Sequence, residues 1–253
     1  MITLASDFGS PYPAAMRGVI LSRTDARLVD IAHDLPRQDV RAAAFWLRET
    51  LPWFPPAVHL AVIDPGVGTD RTALVIRSGD HALVGPDNGV LIPAARELGS
   101  EGTIEAFTIA DEDPESSTFH GRDVFAPAAA IVHEAGVETF HERSAFSPAE
   151  TFEDLTFPEP TVGDDRATGE VLVIDGFGNA ITTIPGSVLA DHMGSSVQVN
   201  GMFARAVRSY AAVDPGHRLV TVGSHGNVEL AVNQGRGERA FGVDAGSRVR
   251  VEW

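Results

Sequence analysis

The chain has 253 residues, 43% of them hydrophobic, and a formal net charge of -16. That apolar content suffices for one large domain or two smaller ones with real cores, and it excludes a disordered chain. No apolar run is long enough to span a membrane, no cysteine is present to form disulfides, thiolate nucleophiles or cysteine-based zinc sites, and so anionic a surface repels phosphate backbones, which argues against nucleic-acid binding. The first residues, Met1 to Gly9, carry no basic region of the signal-peptide kind, so a cytoplasmic protein is expected.

The first half alternates between strand and helix patterns, as α/β proteins do. Ile2–Ala5 reads as a buried strand, Ala14–Ser22 as a helix and Arg27–Ile31 as a second strand. Asp39–Thr50 carries apolar residues at helical spacing. Val58–Ile63 is the clearest central strand and runs into Asp64. Thr72–Arg77 and Ala82–Val84 read as strands around the turn Ser78-Gly79-Asp80. Gly89–Leu98 predicts a short helix, Thr103–Ile109 a strand and the alanine-rich Asp123–Ala135 a helix. Between about Phe140 and Gly169 the pattern breaks, with Pro148, Pro158 and Pro160 among acidic residues, which reads as a linker. Beyond it come short strands and glycine-rich turns: Val171–Ile174, Ala180–Ile184, Val197–Val199, Leu219–Val222, Val228–Val232 and Val249–Glu252. The expected organisation is therefore an α/β domain over residues 1–150, a linker over 151–169 and a small antiparallel, barrel-like β domain over 170–253.

Two polar clusters stand where strands meet loops. One runs from Val62 to Arg71 through Asp64-Pro65-Gly66-Val67-Gly68-Thr69; the other is Ser117-Thr118-Phe119-His120-Gly121-Arg122-Asp123. Together they supply a carboxylate, a guanidinium and an imidazole, a set able to hold a water molecule and take its proton. In open α/β sheets such strand ends are where ligands bind. Each residue also has a plainer reading. Asp64 before Pro-Gly suits the start of a turn, Arg71 a solvated loop charge and His120 a loop histidine.

The order of seven short blocks goes further. They are Ser6-Asp7-Phe8-Gly9, Asp30-Ile31-Ala32-His33-Asp34-Leu35-Pro36, Asp64-Pro65-Gly66-Val67-Gly68-Thr69, Gly85-Pro86-Asp87-Asn88-Gly89, Phe119-His120-Gly121-Arg122-Asp123, Asp175-Gly176-Phe177-Gly178-Asn179 and Ser224-His225-Gly226-Asn227. In this order, almost end to end, the chain resembles the S-adenosyl-L-methionine (SAM) hydroxide adenosyltransferases, adenosine-forming SAM hydrolases related to the fluorinase and chlorinase enzymes. The resemblance implies a Rossmann-like N-terminal α/β domain followed by a C-terminal antiparallel β-barrel. It also implies a homotrimer, with the substrate between one subunit's N-terminal domain and its neighbour's C-terminal domain.

The reaction it implies is attack of water or hydroxide on ribose C5′ of SAM, releasing methionine and adenosine. SAM is then the substrate, with no cofactor and no metal. An approaching hydroxide cancels the sulfonium charge in the transition state, and a dry pocket strengthens that attraction. The family's catalytic triad maps onto Asp64, Arg71 and His120: Arg71 would stabilise the developing hydroxide, and Asp64 and His120 would orient it and receive its proton, in either assignment. Asp7 matches the carboxylate that binds the ribose hydroxyls. In the β domain, Asp175 would meet the methionine ammonium and Asn179 an adenine edge, with Phe177 between them, and Ser224 would meet the methionine carboxylate. Turn chemistry alone also accounts for Asp-Gly and Gly-Asn pairs. Gln38, near the adenine, and Glu229 and Asn233 complete the expected substrate-binding set.

Other features are set aside. His33 reads as structural, and His133, His141, His192 and His217 lack metal-ligand spacing. Gly66-Val67-Gly68 lacks the Lys-Ser/Thr of a phosphate loop, and no Gly-x-Ser-x-Gly elbow occurs. Three rival functions stay open: a halogenase of the same fold, a non-catalytic SAM or adenosine binder, and a metal-dependent hydrolase. The first is disfavoured because the halide-using relatives carry an uncharged residue where Asp64 stands and an extra loop, and an anionic Asp64 repels halide.

No lysine occurs, so all 19 basic residues are arginine. Acidic residues are spread along the chain rather than clustered, as suits adaptation to a high-salt cytoplasm where screening makes self-repulsion tolerable. Raising sodium chloride from dilute buffer to molar concentration is therefore expected to raise the thermal midpoint. An unchanged midpoint would count against the salt adaptation.

Overall fold

A computed structural model describes residues 1–99, 103–110 and 118–253. Ser117 of the second polar cluster lies outside the described residues. The chain divides into two compact units, Met1–Thr156 and Phe157–Trp253.

The first unit holds β1 (Ile2–Ser6), α1 (Tyr12–Leu21), β2 (Leu28–Ala32), α2 (Val40–Thr50), β3 (Val58–Val62), β4 (Ala73–Ser78) and β5 (His81–Pro86). After these come α3 (Ile92–Leu98), β6 (Glu105–Ile109), a π-helical turn at Gly121–Phe125, α4 (Ala126–Ala135) and β7 (Phe146–Pro148). The seven strands form one sheet in the order β2-β1-β3-β5-β4-β6-β7. The first four are parallel; β4, β6 and β7 pair antiparallel. Strand β7 lies in the stretch read as patternless, where three residues give too short a period to detect. The predicted helix from Asp123 begins as the π-helical turn and becomes α-helical only at Ala126.

Parallel strands covered on both faces must be apolar throughout, and β1 and β3 are buried at every position. Ile2, Leu4, Val58, Leu60 and Val62 pack with Met16 and Ile20 of α1 and with Phe125 and Ala129 near and on α4. Helix α2 is capped by Asp39, whose carboxylate accepts from Ala42 N–H at 2.9 Å, and it packs on α3. Gly85 in β5 is a forced choice: a Cβ there would stand 2.3 Å from the Ala61 carbonyl oxygen.

The second unit contains β8 (Thr161–Val162), β9 (Arg166–Ile174), β10 (Ala180–Pro185), β11 (Ser196–Val199) and β12 (Met202–Ala206). It continues with β13 (Arg218–Val222), β14 (Asn227–Val232), a five-residue helix α5 (Gly237–Phe241) and β15 (Arg248–Glu252). The order β10-β14-β13-β12-β11-β15-β9, with β9 pairing back to β10, closes a seven-stranded barrel, and β8 is added outside β9. Its interior is Val, Leu, Ile and Ala from alternate strand positions, with Phe241 as a plug. Two points differ from the expectation. The β12–β13 pair runs parallel in an otherwise antiparallel barrel. Strands β8 and β9 also begin within residues 151–169, read as a linker; the alternation of β9 is obscured there by Thr168 and Gly169.

At the amino ends of the central strands, Thr3, His59 and His81 form a buried chain. The Thr3 hydroxyl meets His59 Nδ1 at 2.8 Å, and His59 Nε2 meets His81 Nδ1 at 2.9 Å. Burial, with the His81 ring second, lowers His59 from 6.5 to about 3. His81 is lowered by burial, and the Asp80 charge only partly offsets this. The unfolded chain binds these protons below about pH 6.5 while the folded chain does not, so stability is full above that pH and falls as pH drops toward 3. Each group contributes at most roughly 1.4 kcal/mol per pH unit. Melting curves between pH 7 and 4.5 should show a steep loss in the wild type and a shallower one in His59→Gln; equal slopes would refute the assignment.

Candidate active site

The chain passes from β1 to β2 on one side and then to β3 on the other, so the sheet order reverses direction between β1 and β3. Such a switch point leaves a crevice at the carboxyl ends of the strands, where α/β proteins bind ligands. Ser6 pairs in register with Val62, so Asp7, one residue on, and Asp64, two residues on, leave the ends of neighbouring strands. A cavity of about 560 Å³ opens there, with Asp7, Gln38, Asp64 and His120 on its wall.

Asp64 is nearly enclosed, with its side chain 4% exposed, and Arg71 is 10% exposed. They meet as a two-pronged pair: Arg71 Nε donates to Oδ1 at 3.0 Å and Nη2 to Oδ2 at 2.5 Å. Gly66 N–H adds a third bond to Oδ1 at 3.1 Å. The guanidinium also lies over the Phe125 ring, 5.0 Å from its centre, and donates through Nη1 to the Thr72 carbonyl at 2.7 Å. Arg71 does not line the cavity; it stands behind Asp64. Its Nη2 also reaches His120 Nδ1 at 3.3 Å. Arginine only donates, so Nδ1 offers a lone pair and the imidazole proton sits on Nε2.

His120 is buried at the entry to the π-helical turn. Gly121 makes that seat possible, since a Cβ would meet Met16 Sδ at 2.9 Å and the Phe119 ring at 3.2 Å. The block Gly85–Gly89 does not line the cavity. Asn88 instead donates to the Ile63 carbonyl at 2.9 Å and so fixes the backbone just before Asp64.

Asp7 accepts a hydrogen bond from Gln38 N–H at 2.6 Å, and Gln38 takes the left-handed backbone, φ 58°, to provide it. Reading the sequence missed the aromatic side of the cavity. Phe8, Tyr12 and Phe119 stand mutually edge to face, with ring centres 5.5 to 6.2 Å apart. Arg37 and Arg122 also line the cavity.

The remaining expected residues are in the barrel. Asp175 holds its own turn: Oδ1 accepts from Phe177 N–H at 2.9 Å and Asn179 N–H at 2.8 Å, and Oδ2 from Asn179 Nδ2 at 3.0 Å. Phe177, at the tip, is 81% exposed. Glu229 is buried, with Oε1 accepting from the Tyr210 hydroxyl at 2.5 Å and Oε2 at 3.9 Å from His225 Nε2. Burial raises the Glu229 carboxyl above its ordinary value, against the pull of the Tyr210 bond, and Asp175 adds to the rise. Burial and Glu229 raise the Tyr210 phenol as well. Ser224 is exposed in the turn before β14, whereas Asn233 follows that strand and donates to the Val213 carbonyl at 2.7 Å. At about 3.3 Å per residue the strand holds these two roughly 20 Å apart, so they cannot touch one substrate group. Tyr210 and His225 were not anticipated; no motif marks Tyr210. A larger groove of about 870 Å³ on the barrel, lined by Phe203, Asp214 and His217, contains none of the expected residues.

Among the described residues, no group of three or more His, Asp or Glu side chains is placed to hold a metal ion. No helix among them is long and apolar enough to cross a membrane.

Comparison with known proteins bears on the whole chain. The family model for the SAM hydroxide adenosyltransferase N-terminal domain matches residues 2–143, and that for the C-terminal domain matches residues 169–250. Proteins named (R)-S-adenosyl-L-methionine hydrolase are similar throughout. The one from Salinispora tropica is 40% identical, covering 99% of this chain and 97% of its own. That from Thermus thermophilus is 40% identical, covering 97% of each. Among solved structures, an uncharacterized conserved protein from Thermotoga maritima superposes with a TM-score of 0.86 at 32% identity over 100% of both chains. The chain belongs to the SAM hydroxide adenosyltransferase family.

Proposed function

We infer that the protein hydrolyses S-adenosyl-L-methionine to adenosine and L-methionine, acting on the (R)-sulfonium epimer that its relatives' names specify. One observation carries the chemistry: a buried carboxylate and imidazole, Asp64 and His120, line a cavity of about 560 Å³, and the Arg71 guanidinium bonds to both from behind its wall, on the strand ends where such folds bind ligands.

The geometry supports a division of labour. Three of the four acceptor positions of Asp64 are occupied, two of them by Arg71. Asp64 therefore serves to aim the guanidinium. A water that enters between Arg71 and His120 replaces their 3.3 Å contact; the guanidinium donates to its oxygen and the Nδ1 lone pair takes its proton. The hydroxide attacks C5′, the C5′–S bond breaks, and the electron pair neutralises the sulfonium as methionine leaves. Charge vanishes in this transition state, so a poorly solvated wall of Phe8, Tyr12 and Phe119 favours it. Asp7 is assigned to the ribose hydroxyls and Gln38 to the adenine side.

Asp175, Asn179, Ser224 and Glu229 are assigned to the methionine and adenine ends, supplied by a neighbouring copy in a homotrimer. The family's arrangement supports this, as does Phe177, whose open ring face suits a planar base. A cytoplasmic location fits a substrate of this kind.

Chromatography of separate (R)- and (S)-SAM incubations is expected to show adenosine and methionine from the (R) epimer, undiminished by EDTA. A 5′-halo product in halide buffer would mark a halogenase, and intact SAM a binding protein. His120→Ala and Asp64→Asn should each lower kcat by roughly 10²–10⁴-fold. Wild-type rates in both would remove the assigned set.

A further inference from the structure

The loop after β2 encloses Asp7 from several directions. Ser6 is fully buried at the end of β1, and its hydroxyl meets His33 Nδ1 at 2.7 Å. The Ser6 carbonyl accepts from Leu35 N–H at 3.3 Å, and the His33 carbonyl accepts from Gly9 N–H at 2.8 Å. Gln38 N–H closes on the Asp7 carboxylate itself. Residues 33–38 thus grip the chain before Asp7, the chain after it and its side chain.

The far side of His33 is anchored too. Its Nε2 lies 3.0 Å from Asp30 Oδ1, and Asp30 is held by Arg17 of α1, whose Nε donates to it at 3.0 Å. A carboxylate accepts only, so Nε2 carries a proton, and Nδ1 is left to pair with the Ser6 hydroxyl. Serine, histidine and aspartate in a hydrogen-bonded row have the composition of a hydrolytic triad, but Ser6 is sealed from the cavity and its oxygen faces the imidazole. The row cannot attack a substrate. It can fix the residue that directly follows Ser6 and lines the cavity, Asp7.

Resting on the hydrolase reading and its assignment of Asp7 to the ribose, we propose that His33 is a positioning residue for that contact. Held by Asp30 and Arg17, it locks Ser6 and so sets the direction in which Asp7 leaves β1. Without it, Asp7 can still accept hydrogen bonds, but its carboxylate is no longer preorganised toward the ribose hydroxyls.

Isothermal titration with adenosine and with 2′,3′-dideoxyadenosine tests this, because only the first offers the hydroxyls. Wild type should prefer adenosine. His33→Asn should lose about tenfold of that preference, the size of one hydrogen bond to a charged group, with dideoxyadenosine binding unchanged. Ser6→Ala cuts the same row at its other end and should do likewise; it serves if melting shows the first variant unfolded. Equal weakening of both ligands, or an unaltered preference, would overturn the proposal. A wild type that hydrolyses SAM yet ignores the hydroxyls would overturn it together with the role of Asp7. One that neither hydrolyses SAM nor binds adenosine would overturn the hydrolase reading itself.

Discussion

The site depends on one buried ion pair, Asp64 with Arg71. Enclosing two charges costs several kcal/mol per ion before their attraction is counted, and both side chains here are at most 10% exposed. The two-pronged geometry, the Gly66 amide and the Phe125 ring offset that cost together. A well-packed apolar pair of similar volume would serve folding as well. What the apolar pair would not give is a guanidinium aimed at His120 from behind the cavity wall. Stability alone does not explain the charges. For the same reason, deleting either partner leaves the other buried and unpaired, so isosteric changes such as Asp64→Asn separate chemistry from folding better than truncation does.

The sheet makes this affordable. Strands β1, β3 and β5 are buried throughout and largely apolar, and the polar groups they do bury are collected toward opposite ends. At the amino ends, Thr3, His59 and His81 satisfy each other in a closed row whose members burial keeps neutral. At the carboxyl ends, Asp7, Asp64 and His120 face a cavity and keep acceptor capacity for a ligand. A histidine's surroundings thus differ with the end of the sheet near which it lies: His59 is closed into a row and His120 faces a cavity. His59 and His120 differ in that respect more than in burial.

That distinction also marks what the sequence could reveal. Asp64, Arg71 and His120 were legible because they fall within short motifs in a fixed order, and the central strands because Val58–Ile63 admits no polar residue but His59. The Asp7–Gln38 bond was half legible: both residues stood out, but the left-handed backbone that joins them depends on tertiary closure of the loop. Phe8, Tyr12 and Phe119 were missed because an aromatic in a sequence looks the same whether it lines a cavity or packs in a core. Strands β7, β8 and β12 were missed because two to five residues carry too little period to outweigh neighbouring Pro, Thr or Arg. In the barrel, the turn reading of Asp175 and Asn179 is what the structure shows. Their mutual bond builds a turn, and the same turn lifts Phe177 into solvent.

The net charge enters the same reasoning. SAM brings a sulfonium, and a chain at -16 draws a cation from a distance in dilute buffer. The cavity itself is close to balanced, with Asp7 and Asp64 set against Arg37 and Arg122 on its wall. Long-range attraction is screened within about 8 Å at physiological salt and less in brine, whereas contacts inside a buried pocket are screened little. Recognition therefore rests on the local set and not on the surface. Arginine in place of lysine also gives pairs such as Asp64–Arg71 and Asp123–Arg122 a forked geometry that a lysine could not supply.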